Sequence, residues 1–449
     1  MGNQSGVLNS ALSGWGRFPV EQCESVRPER YRDMKVTAER QIARGQGRSY
    51  GDAALGKRVI LTERVNRLLA FDAVAGILRA EAGVTLAEVL AAITPHGWFL
   101  PVTPGTQWAS LGGCVAADVH GKNHHHDGTF GQHILELELI LADESRVTCS
   151  ATKNQALFWA TIGGMGLTGI VGEISLKLRR IGSSYLQVQH HAAKNLAETF
   201  ALFADPALDD QYSVAWIDCL AAGKQLGRSV LMRGHHAARE DLPADLSVAA
   251  VSGRTRSVPF DLPAAALNPV TVQLFNAVYY RRQGRKTKPY FAHYQHYFYP
   301  LDRIADWNRL YGKRGFVQYQ CVVPEAGALT AVTALLQALS QSRRASFLAV
   351  LKRLGVQNSA LLSFPLAGYT LALDIPVRDR GVFDLLRMLD RIVLEHGGRV
   401  YLAKDAVLTA QTFRAMYPRY RDWQLIKQAV DPAHRFESSL SRRLGLGDA

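Results

Sequence analysis

The spacing of apolar residues divides the first 185 residues into short strands and helices. RQIARG and RVILTE alternate as strands on either side of a turn-rich segment, and GILRAEAG predicts a further strand. TLAEVLAAITPHG predicts an amphipathic helix with Thr85 as its N-cap, Glu88 three residues later and Gly97 beyond its end. ILELELILADESRVTCS predicts a hairpin, NQALFWATIGG a helix, and GIVGEISLKLRRI another strand. This order of elements predicts a mixed α+β unit.

The pattern changes between residues 186 and 398. Strand-like YSVAWIDCL, FVQYQCVVP and YTLALDIPV alternate with helical ALTAVTALLQALSQS and VFDLLRMLDRIVLEHGG. The segment from about 236 to 292 is polar, basic and contains proline, which predicts that it includes a mobile loop. The last fifty residues are mostly helical in pattern and end in a DP turn.

Composition narrows the class of protein. A chain of 449 residues with 47% hydrophobic and 20% charged residues predicts a folded protein of two domains. The first residues lack a basic start followed by an apolar core, and no apolar run is long enough to span a bilayer, so we expect a cytoplasmic chain. Five cysteines, widely spaced and without a C-x-x-C pair, predict buried thiols rather than disulfides or a zinc site.

The charge balance points to anionic partners. The net charge is +13, and the densest basic run is RRQGRKTK at 281–288. Such a surface suits nucleic acid, a membrane face or a phosphorylated substrate, although a solvated loop explains the run equally well. The run has no interleaved aromatic residues and lies in no DNA-binding motif, so we expect no nucleic-acid partner.

Three glycine-rich segments carry the candidate chemistry. They are ARGQGRSYGDAAL at 43–55, TPGTQWASLGGCVAADVHGKNHHHDGTFG at 103–131 and GGMGLTGIVG at 163–172. Glycines let backbone N–H groups approach a ligand closely, and concave runs of such groups hold pyrophosphate oxygens. None of the segments has the spacing of a Walker A loop or of a Rossmann fingerprint. Together they predict a binding site for a phosphate-bearing cofactor.

The second segment places His124, His125 and His126 in succession. Adjacent residues rarely reach one ion, and no Asp, Glu or Cys partner lies at ligand spacing in the sequence, so we expect no metal site. A polar loop that lines a cofactor accounts for these histidines better.

The same segments resemble the FAD-binding domain of vanillyl-alcohol-oxidase-type flavoproteins. Within that superfamily HGKNHH…GTFG, FVQYQ, YLAKDA and MYPRY…DP..RF.SSL are similar to the decaprenylphosphoryl-β-D-ribose 2-oxidase family. The resemblance covers nearly the whole chain. It implies a two-domain α+β flavoprotein with an FAD-binding domain and a substrate domain built on an antiparallel sheet with helices. Residues 1–185 would form the FAD-binding domain, 186–398 the substrate domain, and 399–449 a segment that returns to the FAD-binding domain.

The resemblance also implies which residues contact FAD. The first turn would cradle the pyrophosphate, the second would lie along the flavin and the ribityl chain, and the third would close the site. The implied cofactor-binding residues are Ala43, Arg44, Gly45, Gln46, Gly47, Arg48, Ser49, Tyr50, Gly51, Gly105, Ser110, Leu111, Gly112, Gly113, Ala117, Asp118, His120, Gly121, Asn123, Gly128, Gly169, Ile170 and Tyr401.

Catalytic roles by resemblance go to His120, Lys122 and Lys404. A neutral imidazole can accept the hydroxyl proton when a secondary alcohol loses hydride to a flavin. The lysines would place positive charge near the reduced flavin or the substrate phosphate. Taken alone, His120 is also explained as a loop histidine and Lys404 as a surface lysine.

Further residues are predicted to line the substrate site. Gln318 and Gln320 alternate along one strand and so share a face, although solvent-facing amides would show the same pattern. Trp216 and Tyr299 are candidates for packing at the substrate site, but packing in the protein core explains each of them at least as well. The predicted substrate residues are Tyr50, Lys122, Trp216, Tyr299, Gln318, Gln320, Thr370 and Lys404.

Departures from the family pattern refine the expectation. The turn GQGRSYG has no histidine, which implies a dissociable rather than a covalently bound FAD. The His-Trp-Gly-Lys motif of sugar-alcohol and aldonolactone oxidases is absent, and Tyr-Leu-Ala-Lys-Asp stands at 401–405 instead. Thr370 and Ala372 replace the asparagine and cysteine of the best-known family members, which leaves the shape of the sugar site open.

The expected function is oxidation of the 2-hydroxyl of a polyprenylphosphoryl ribose to a ketone. By family implication a short-chain-type reductase would complete epimerisation to arabinose, at the inner membrane. The basic run at 281–288 suits an anionic membrane surface or the substrate phosphate. Two alternatives stay open: the same chemistry on a soluble sugar, sugar alcohol or aldonolactone, and a flavin-containing binding protein without turnover.

Overall fold

The computed structural model describes residues 7–244, 246, 256–263, 267–344 and 348–447. Most of the predicted strands of the N-terminal region are present. In chain order the strands of this region are β1 (Leu8–Ser13), β2 (Val20–Val26), β3 (Gln41–Arg44), β4 (Arg58–Leu61), β5 (Leu68–Asp72), β6 (Ile77–Glu81), β7 (Trp98–Phe99), β8 (Ile134–Ile140), β9 (Arg146–Cys149), β10 (Ile170–Lys177) and β11 (Arg179–Arg180).

These strands form two main sheets. The first has the order β1-β2-β4-β3 and combines an antiparallel β1–β2 pair with parallel pairing of β2 and β3 to β4. The second is antiparallel, with the order β5-β6-β10-β8-β9, and contains the predicted hairpin of β8 and β9. Leu137, Leu139, Ile174 and Leu176 are buried in its core because alternate residues of paired strands share one face.

The helices of this region are short. They are α1 (Leu86–Ile93), α2 (Leu111–Ala116), α3 (His124–Asp127) and α4 (Gln155–Thr161). The predicted capping of α1 is confirmed, because the Thr85 side chain accepts from the Glu88 N–H and the Glu88 carboxylate accepts from the Thr85 N–H. Ser110 caps α2 in a similar way by accepting from the Gly113 N–H.

The rest of the chain contributes the larger sheet and its helices. The remaining strands are β12 (Tyr185–Ala193), β13 (Tyr212–Ile217), β14 (Ser229–His236), β15 (Arg256–Ser257), β16 (Tyr290–His293), β17 (Ile304–Ala305), β18 (Phe316–Pro324), β19 (Ala349–Leu354), β20 (Gly368–Pro376) and β21 (Arg399–Val400). The remaining helices are α5 (Leu196–Ala204), α6 (Pro269–Gly284), α7 (Tyr294–Phe298), α8 (Ala328–Ser342), α9 (Gly381–Glu395), α10 (Ala410–Met416), α11 (Tyr420–Val430) and α12 (Ser439–Leu444).

Eight of these strands form one antiparallel sheet with the order β16-β12-β14-β13-β19-β20-β18-β21. The apolar stripes of α8 and α9 pack against this sheet, with Val332, Leu336 and Leu389 fully buried between the layers. The predicted α+β architecture with an antiparallel sheet and helices is therefore confirmed. The proposed domain limits at 185 and 398 lie beside the first and last strands of this sheet.

The segment from 236 to 292, which is predicted to include a mobile loop, also contains regular elements, and the mobile loop itself stays a prediction. Residues 269–284 form the sixteen-residue helix α6, and 290–293 form β16 at the edge of the large sheet. Asn268 caps α6 and Pro269 occupies its first turn, which are two strong signals for the start of a helix. Residues 245, 247–255 and 264–266 of this segment lie outside the described residues.

The C-terminal segment packs against the N-terminal region. Arg443 forms ion pairs with Asp52 at 2.7 Å and with Asp405 at 2.9 Å. The Ser439 N–H donates to the Leu55 carbonyl at 2.8 Å. These contacts connect the two ends of the chain.

Two smaller predictions concern cysteines and membrane spans. All five cysteines are buried free thiols, as predicted. Among the described residues, no helix has both the length and the apolar character needed to cross a bilayer.

Candidate active site

A cavity of about 990 Å³ lies between the glycine-rich segments and the eight-stranded sheet. This volume is at the upper end of the range of about 300–1,000 Å³ for ligand sites. One side, which we call the glycine wall, is formed by lining residues within the segments 43–50, 103–121 and 165–169. The opposite side, which we call the sheet face, is formed by side chains of β12, β13, β14, β18, β19 and β20.

The glycine wall brings loops into contact that a side chain would separate. A Cβ on Gly45 would lie 2.0 Å from the Ser110 hydroxyl, so the first turn and the cap of α2 meet only because residue 45 has no side chain. Gly51 has a φ of +69°, and a Cβ there would lie 1.8 Å from the Asp405 carbonyl oxygen. The first turn is thereby held against the C-terminal segment, where the Tyr50 N–H also donates to the Ala403 carbonyl.

The glycine wall fits an FAD molecule on two observations of its own. Gly105 has open space at its Cβ position, so its backbone borders the cavity rather than the protein core. Arg48 lines the cavity with its guanidinium 4.0 Å over the Trp15 ring, and its buried Nε has no hydrogen-bond partner. A buried donor without a partner beside a cavity is satisfied when an acceptor such as a phosphate or flavin oxygen occupies it.

Strand register explains the composition of the sheet face. Directly paired residues in antiparallel strands point to the same side of a sheet. One row across the sheet therefore joins the pairs His190–Met232, Met232–Val214, Trp216–Val350, Val350–Ala372 and Ala372–Gln320. Lys352 lies two residues after Val350 on β19 and shares its side. The row is apolar towards β13 and β14 and polar towards β18.

His120 lies where the glycine wall meets the polar end of the sheet face. The Gln320 side-chain amide lies 2.8 Å from His120 Nε2 and 3.1 Å from the Thr370 hydroxyl. His120 Nδ1 is buried without a hydrogen-bond partner. Burial, together with the charge of Lys352, holds the pKa of His120 well below its usual value, so the imidazole is neutral at pH 7.

Three half-buried lysines, Lys122, Lys352 and Lys404, line the same cavity, in addition to the exposed Lys286 near its edge. Burial lowers the pKa of Lys122 and of Lys404 to about 7 and that of Lys352 to about 8. Lys122 donates to the Tyr297 carbonyl and lies 4.1 Å over the Tyr297 ring. Lys404 lies 4.1 Å over the Tyr50 ring, and Asp374 partly offsets the effect of burial on the pKa of Lys404.

The pKa of Asp374, the carboxyl group that raises the pKa of Lys404, is itself perturbed. Burial raises the pKa of Asp374 to about 7, although a hydrogen bond of 2.6 Å from the Gln318 amide favours its charged form. The cavity therefore holds more potential positive than negative charge at neutral pH. An anionic group in the cavity would favour the protonated state of the three lysines.

Most of the predicted site residues meet in this cavity. Those that line it are Ala43, Gly45, Gln46, Gly47, Arg48, Ser49, Tyr50, Gly105, Ser110, Gly112, Gly113, Ala117, His120, Gly121, Lys122, Gly169, Trp216, Gln318, Gln320, Tyr401 and Lys404. The predicted residues that do not line it are Arg44, Gly51, Leu111, Asp118, Asn123, Gly128, Ile170, Tyr299 and Thr370.

The residues of the second group lie behind the lining and support it. Asp118 accepts hydrogen bonds from Asn358 at 2.7 Å and Ser363 at 2.5 Å, which fixes the loop before His120. The Asn123 amide donates to the Pro101 carbonyl at 2.7 Å, and the Arg44 guanidinium donates to the Ser13 carbonyl at 2.6 Å. These contacts orient the cavity wall, and the predicted cofactor contacts of these residues stay predictions.

Tyr299 and Thr370, the two predicted substrate residues of this group, each contact the cavity only through a hydrogen-bonded residue that lines it. The Tyr299 hydroxyl and the Thr103 hydroxyl are 2.5 Å apart, and Thr103 lines the cavity. Thr370 is fully buried and accepts from Gln320, which lines the cavity. Their predicted roles at the substrate stay predictions.

Sequence reasoning missed several residues that line the cavity. Lys352 is the clearest, because it lies on β19 in a stretch without a recognisable motif. Asp302 accepts from the Gln107 N–H at 2.8 Å and from Thr106, so it connects the loop after α7 to the second glycine segment. The only available signal for Lys352 was a lysine within an alternating apolar strand, AVLKRL.

The consecutive histidines point to three different partners. His124 accepts from the Gly355 N–H at 2.9 Å, and His125 Nε2 lies 3.1 Å from the Asp210 carbonyl. His126 Nε2 lies 3.2 Å from the Asp209 carboxylate. Potential ligand atoms of His125, His126 and Asp209 lie within 4.8 Å of one another, outside the cavity lining. The fold thus supplies an acidic partner that spacing along the sequence did not reveal, and the absence of a metal stays a prediction.

Comparisons with known proteins agree with this geometry. Residues 31–150 match a family model described as an FAD binding domain, and residues 377–444 match one described as D-arabinono-1,4-lactone oxidase. Decaprenylphosphoryl-beta-D-ribose oxidase of Mycolicibacterium smegmatis is 38% identical over 412 residues, which cover 90% of this chain and 89% of that protein. An uncharacterized protein of Streptomyces coelicolor is 34% identical and covers 81% of this chain along its own full length.

A solved structure supports the fold. Glucooligosaccharide oxidase of Acremonium strictum superposes with a TM-score of 0.67 over 94% of this chain and 91% of that chain, at 16% identity. The first two segments of the glycine wall, 43–50 and 103–121, fall within the FAD-binding match, and the similarity to the relative from M. smegmatis covers 90% of this chain. The chain therefore belongs to the decaprenylphosphoryl-beta-D-ribose oxidase family and is an FAD-dependent oxidoreductase of the vanillyl-alcohol-oxidase type.

Proposed function

We propose that this protein oxidises the 2-hydroxyl of a polyprenylphosphoryl-β-D-ribose to the 2-keto sugar. One observation carries the proposal: Lys122, Lys352 and Lys404 line the same cavity as His120. Three lysines with lowered pKa values are costly around an uncharged sugar, whereas a phosphodiester supplies the missing negative charge. The apolar end of the sheet face, with Val214, Trp216 and Met232, suits the first isoprene units of a lipid.

The reaction removes a hydride and a proton from one CH–OH group. FAD, when bound along the glycine wall, supplies the hydride acceptor. His120 is neutral at pH 7 and takes the hydroxyl proton. If the Gln320 amide presents its oxygen to His120 Nε2, that nitrogen carries the hydrogen and Nδ1 is free to accept the proton.

The remaining polar residues position the substrate and offset charge. Lys404 and Lys122 stabilise the phosphate and the negative charge that develops on the cofactor. Gln318 is held by Asp374 and presents a second amide beside Gln320. Because the first turn offers Arg48 and Tyr50 but no histidine, the FAD is bound without a covalent link. Acid precipitation should then release all of the flavin into the supernatant.

The test of the proposal is an absorbance spectrum before and after anaerobic addition of a short-chain polyprenylphosphoryl ribose. We expect flavin bands that bleach on addition. Flavin that stays oxidised with this substrate would contradict the proposed substrate. A protein that binds no FAD after reconstitution would contradict the proposed chemistry altogether.

A second candidate is oxidation of a soluble sugar, sugar alcohol or aldonolactone. The match of residues 377–444 to the D-arabinono-1,4-lactone oxidase model favours it. The absence of His-Trp-Gly-Lys and the presence of Lys122, Lys352 and Lys404 in the cavity count against it. Bleaching by free sugars or lactones at concentrations comparable to the lipid substrate would reverse the preference.

Two partners follow from the proposed product and substrate. A 2-keto sugar must be reduced to give arabinose, so we propose a short-chain-type reductase as the next enzyme. A polyprenyl-linked substrate resides in a membrane, so we propose peripheral association with an anionic membrane surface. A coupled assay in which arabinose appears only when both enzymes are present would test the first partner.

A further inference from the structure

Helix α6 has an inner face that packs against the protein and an outer face that is exposed to solvent. On the inner face Val272 and Asn276 are buried, and the Asn276 amide donates to Asp218 at 2.8 Å. Tyr279 lies one turn further along this face, with its ring 4.8 Å from the ring of Trp216. The inner face therefore anchors the helix firmly on the edge of the large sheet.

The outer face of α6 carries an apolar stripe. Val270, Leu274 and Val278 are 72%, 66% and 55% exposed, and their spacing of four residues aligns them along one side of the helix. Phe275 is 46% exposed beside them. Aliphatic side chains that line up and stay exposed mark an interaction surface rather than ordinary scattered exposure.

The stripe continues into a group of cations. Arg281, Arg282, Arg285 and Lys288 follow the last apolar position, and all four are exposed. Within the part of the chain that the structure describes, none of the four forms an ion pair. Arg281 and Arg282 lie in the last turn of α6, and Arg285 and Lys288 lie just beyond its end. An exposed apolar stripe beside unpaired cations suits the interface of an anionic membrane.

The same helix borders the cavity on its other side. Tyr279, Gln283 and Lys286 line the cavity, and Lys286 lies 5.0 Å over the Tyr290 ring at its edge. Beneath them the sheet face is apolar, with Trp216 and Met232. A lipid chain that leaves the bilayer beside α6 would therefore meet an apolar path that leads towards the polar end of the cavity.

We propose that the outer face of α6 docks on an anionic lipid bilayer and that the polyprenyl chain of the substrate enters the cavity along this helix. The docking step rests on the exposed stripe and its cations alone. The entry step also rests on the proposed function. Charge complementarity selects an anionic lipid surface, because four exposed cations disfavour a neutral or cationic partner.

The test uses the FAD-loaded protein and two matched double variants. Leu274→Glu with Val278→Glu places two charges on the stripe. Leu425→Glu with Val74→Glu makes the same chemical changes at positions that are 68% and 95% exposed on other elements. Binding is measured by flotation with vesicles of phosphatidylcholine alone and with vesicles of equal parts phosphatidylcholine and phosphatidylglycerol.

We expect the native protein and the control variant to bind the anionic vesicles and the stripe variant to bind at least about tenfold more weakly. Arg281→Gln with Arg282→Gln should weaken binding about fivefold for each cation removed. Equal binding of the stripe and control variants would overturn the proposal, as would equal binding of the native protein to both kinds of vesicle. If the stripe variant lost its flavin, Leu274→Ser with Val278→Ser would replace it.

A second copy of the chain is the main competitor as the occupant of this face. Native protein that stays off the vesicles but forms dimers, which the stripe variant abolishes, would overturn membrane docking in favour of that copy. Size-exclusion chromatography with light scattering at the concentration of the flotation experiment reads this outcome directly.

Turnover separates the docking proposal from the proposed function. The stripe variant should reduce its flavin as fast as native protein with a short-chain substrate in solution, but about tenfold more slowly with a long-chain substrate in anionic vesicles. Equal rates of both proteins with the vesicle-borne substrate would overturn the entry step. If the native protein oxidises neither substrate, the proposed function fails, and the flotation result still decides the docking step.

Discussion

The two walls of the cavity are built in different ways. The glycine wall uses backbone from three continuous segments, in which close approaches such as that of Gly45 to Ser110 shape the surface. The sheet face uses single side chains, and Trp216, Val350 and Gln320 come from three different strands. A cofactor shared by a large superfamily can be held by backbone geometry, whereas a particular substrate must be recognised by side chains that vary independently. The comparison predicts that changes in the two walls will have separable effects.

The largest effect is expected where the two walls meet. His120→Ala should lower the rate of flavin reduction by about 10²- to 10⁴-fold, because the hydroxyl proton loses its acceptor. The flavin content should stay unchanged, since neighbouring backbone forms the cofactor side. Rapid-mixing absorbance measures the rate, and His126→Ala, outside the cavity, serves as the control. Loss of flavin from H120A would show that changes in the two walls do not have separable effects on catalysis and cofactor binding.

The next largest effect tests the contact that holds the first segment of the glycine wall against the C-terminal segment. Gly51→Ala puts a side chain at a φ of +69°, where its Cβ would lie 1.8 Å from the Asp405 carbonyl oxygen. We expect a loss of at least about 2 kcal/mol in the free energy of unfolding, together with weaker flavin retention. Thermal unfolding followed by flavin fluorescence measures both. Gly105→Ala, which meets no atom within 4 Å, should behave like the native protein.

A pH titration tests the charge of the sheet face and its surroundings. With pKa values of about 7, Lys122 and Lys404 are protonated below pH 7 and become neutral as the pH rises through it. The substrate phosphodiester stays anionic in this range, so KM should rise by up to about tenfold for each pH unit above the pKa of a lysine that binds it. Lys404→Gln should raise KM at pH 6 and flatten the profile.

A KM that did not change between pH 6 and 9 would contradict the role of these lysines in phosphate binding. The neutral state of His120 predicts that its own titration does not limit kcat in this range, because its pKa lies well below 6.5. Flavin reduction at saturating substrate, measured across the same pH range, checks this second point.

The smallest effect concerns a residue that the sequence assigned to the substrate. Tyr299→Phe removes a buried hydroxyl that contacts Thr103 at 2.5 Å, and it should cost about 1 kcal/mol of unfolding free energy. Because Tyr299 does not line the cavity, KM should change less than about twofold. Urea unfolding and steady-state kinetics measure the two quantities. A large rise in KM would indicate that Tyr299 contributes to substrate binding, as the sequence predicted, although it does not line the cavity.

The sequence alone determined the glycine wall and the fold class. Glycine spacing, the capping box of α1 and the alternation of β8 to β10 are local signals, since they depend on residues within a few positions of one another. The resemblance added His120, Lys122 and Lys404, which the structure brings to one cavity. Arg44, Asp118 and Asn123 belong to the same motifs but do not line the cavity, and their side chains hydrogen-bond to other parts of the chain.

Only the tertiary structure decided the sheet face, the partners of the histidines and the position of α6. Lys352 reaches the cavity because β19 pairs between β13 and β20, and strand order is not a local property of the sequence. Asp209 approaches His126 from more than eighty positions away. The basic segment at 281–288 begins at the end of a helix rather than in a loop, because Val272 and Asn276 find buried places against the large sheet. Local patterns encode backbone shape, whereas the meeting of distant side chains depends on how the elements pack.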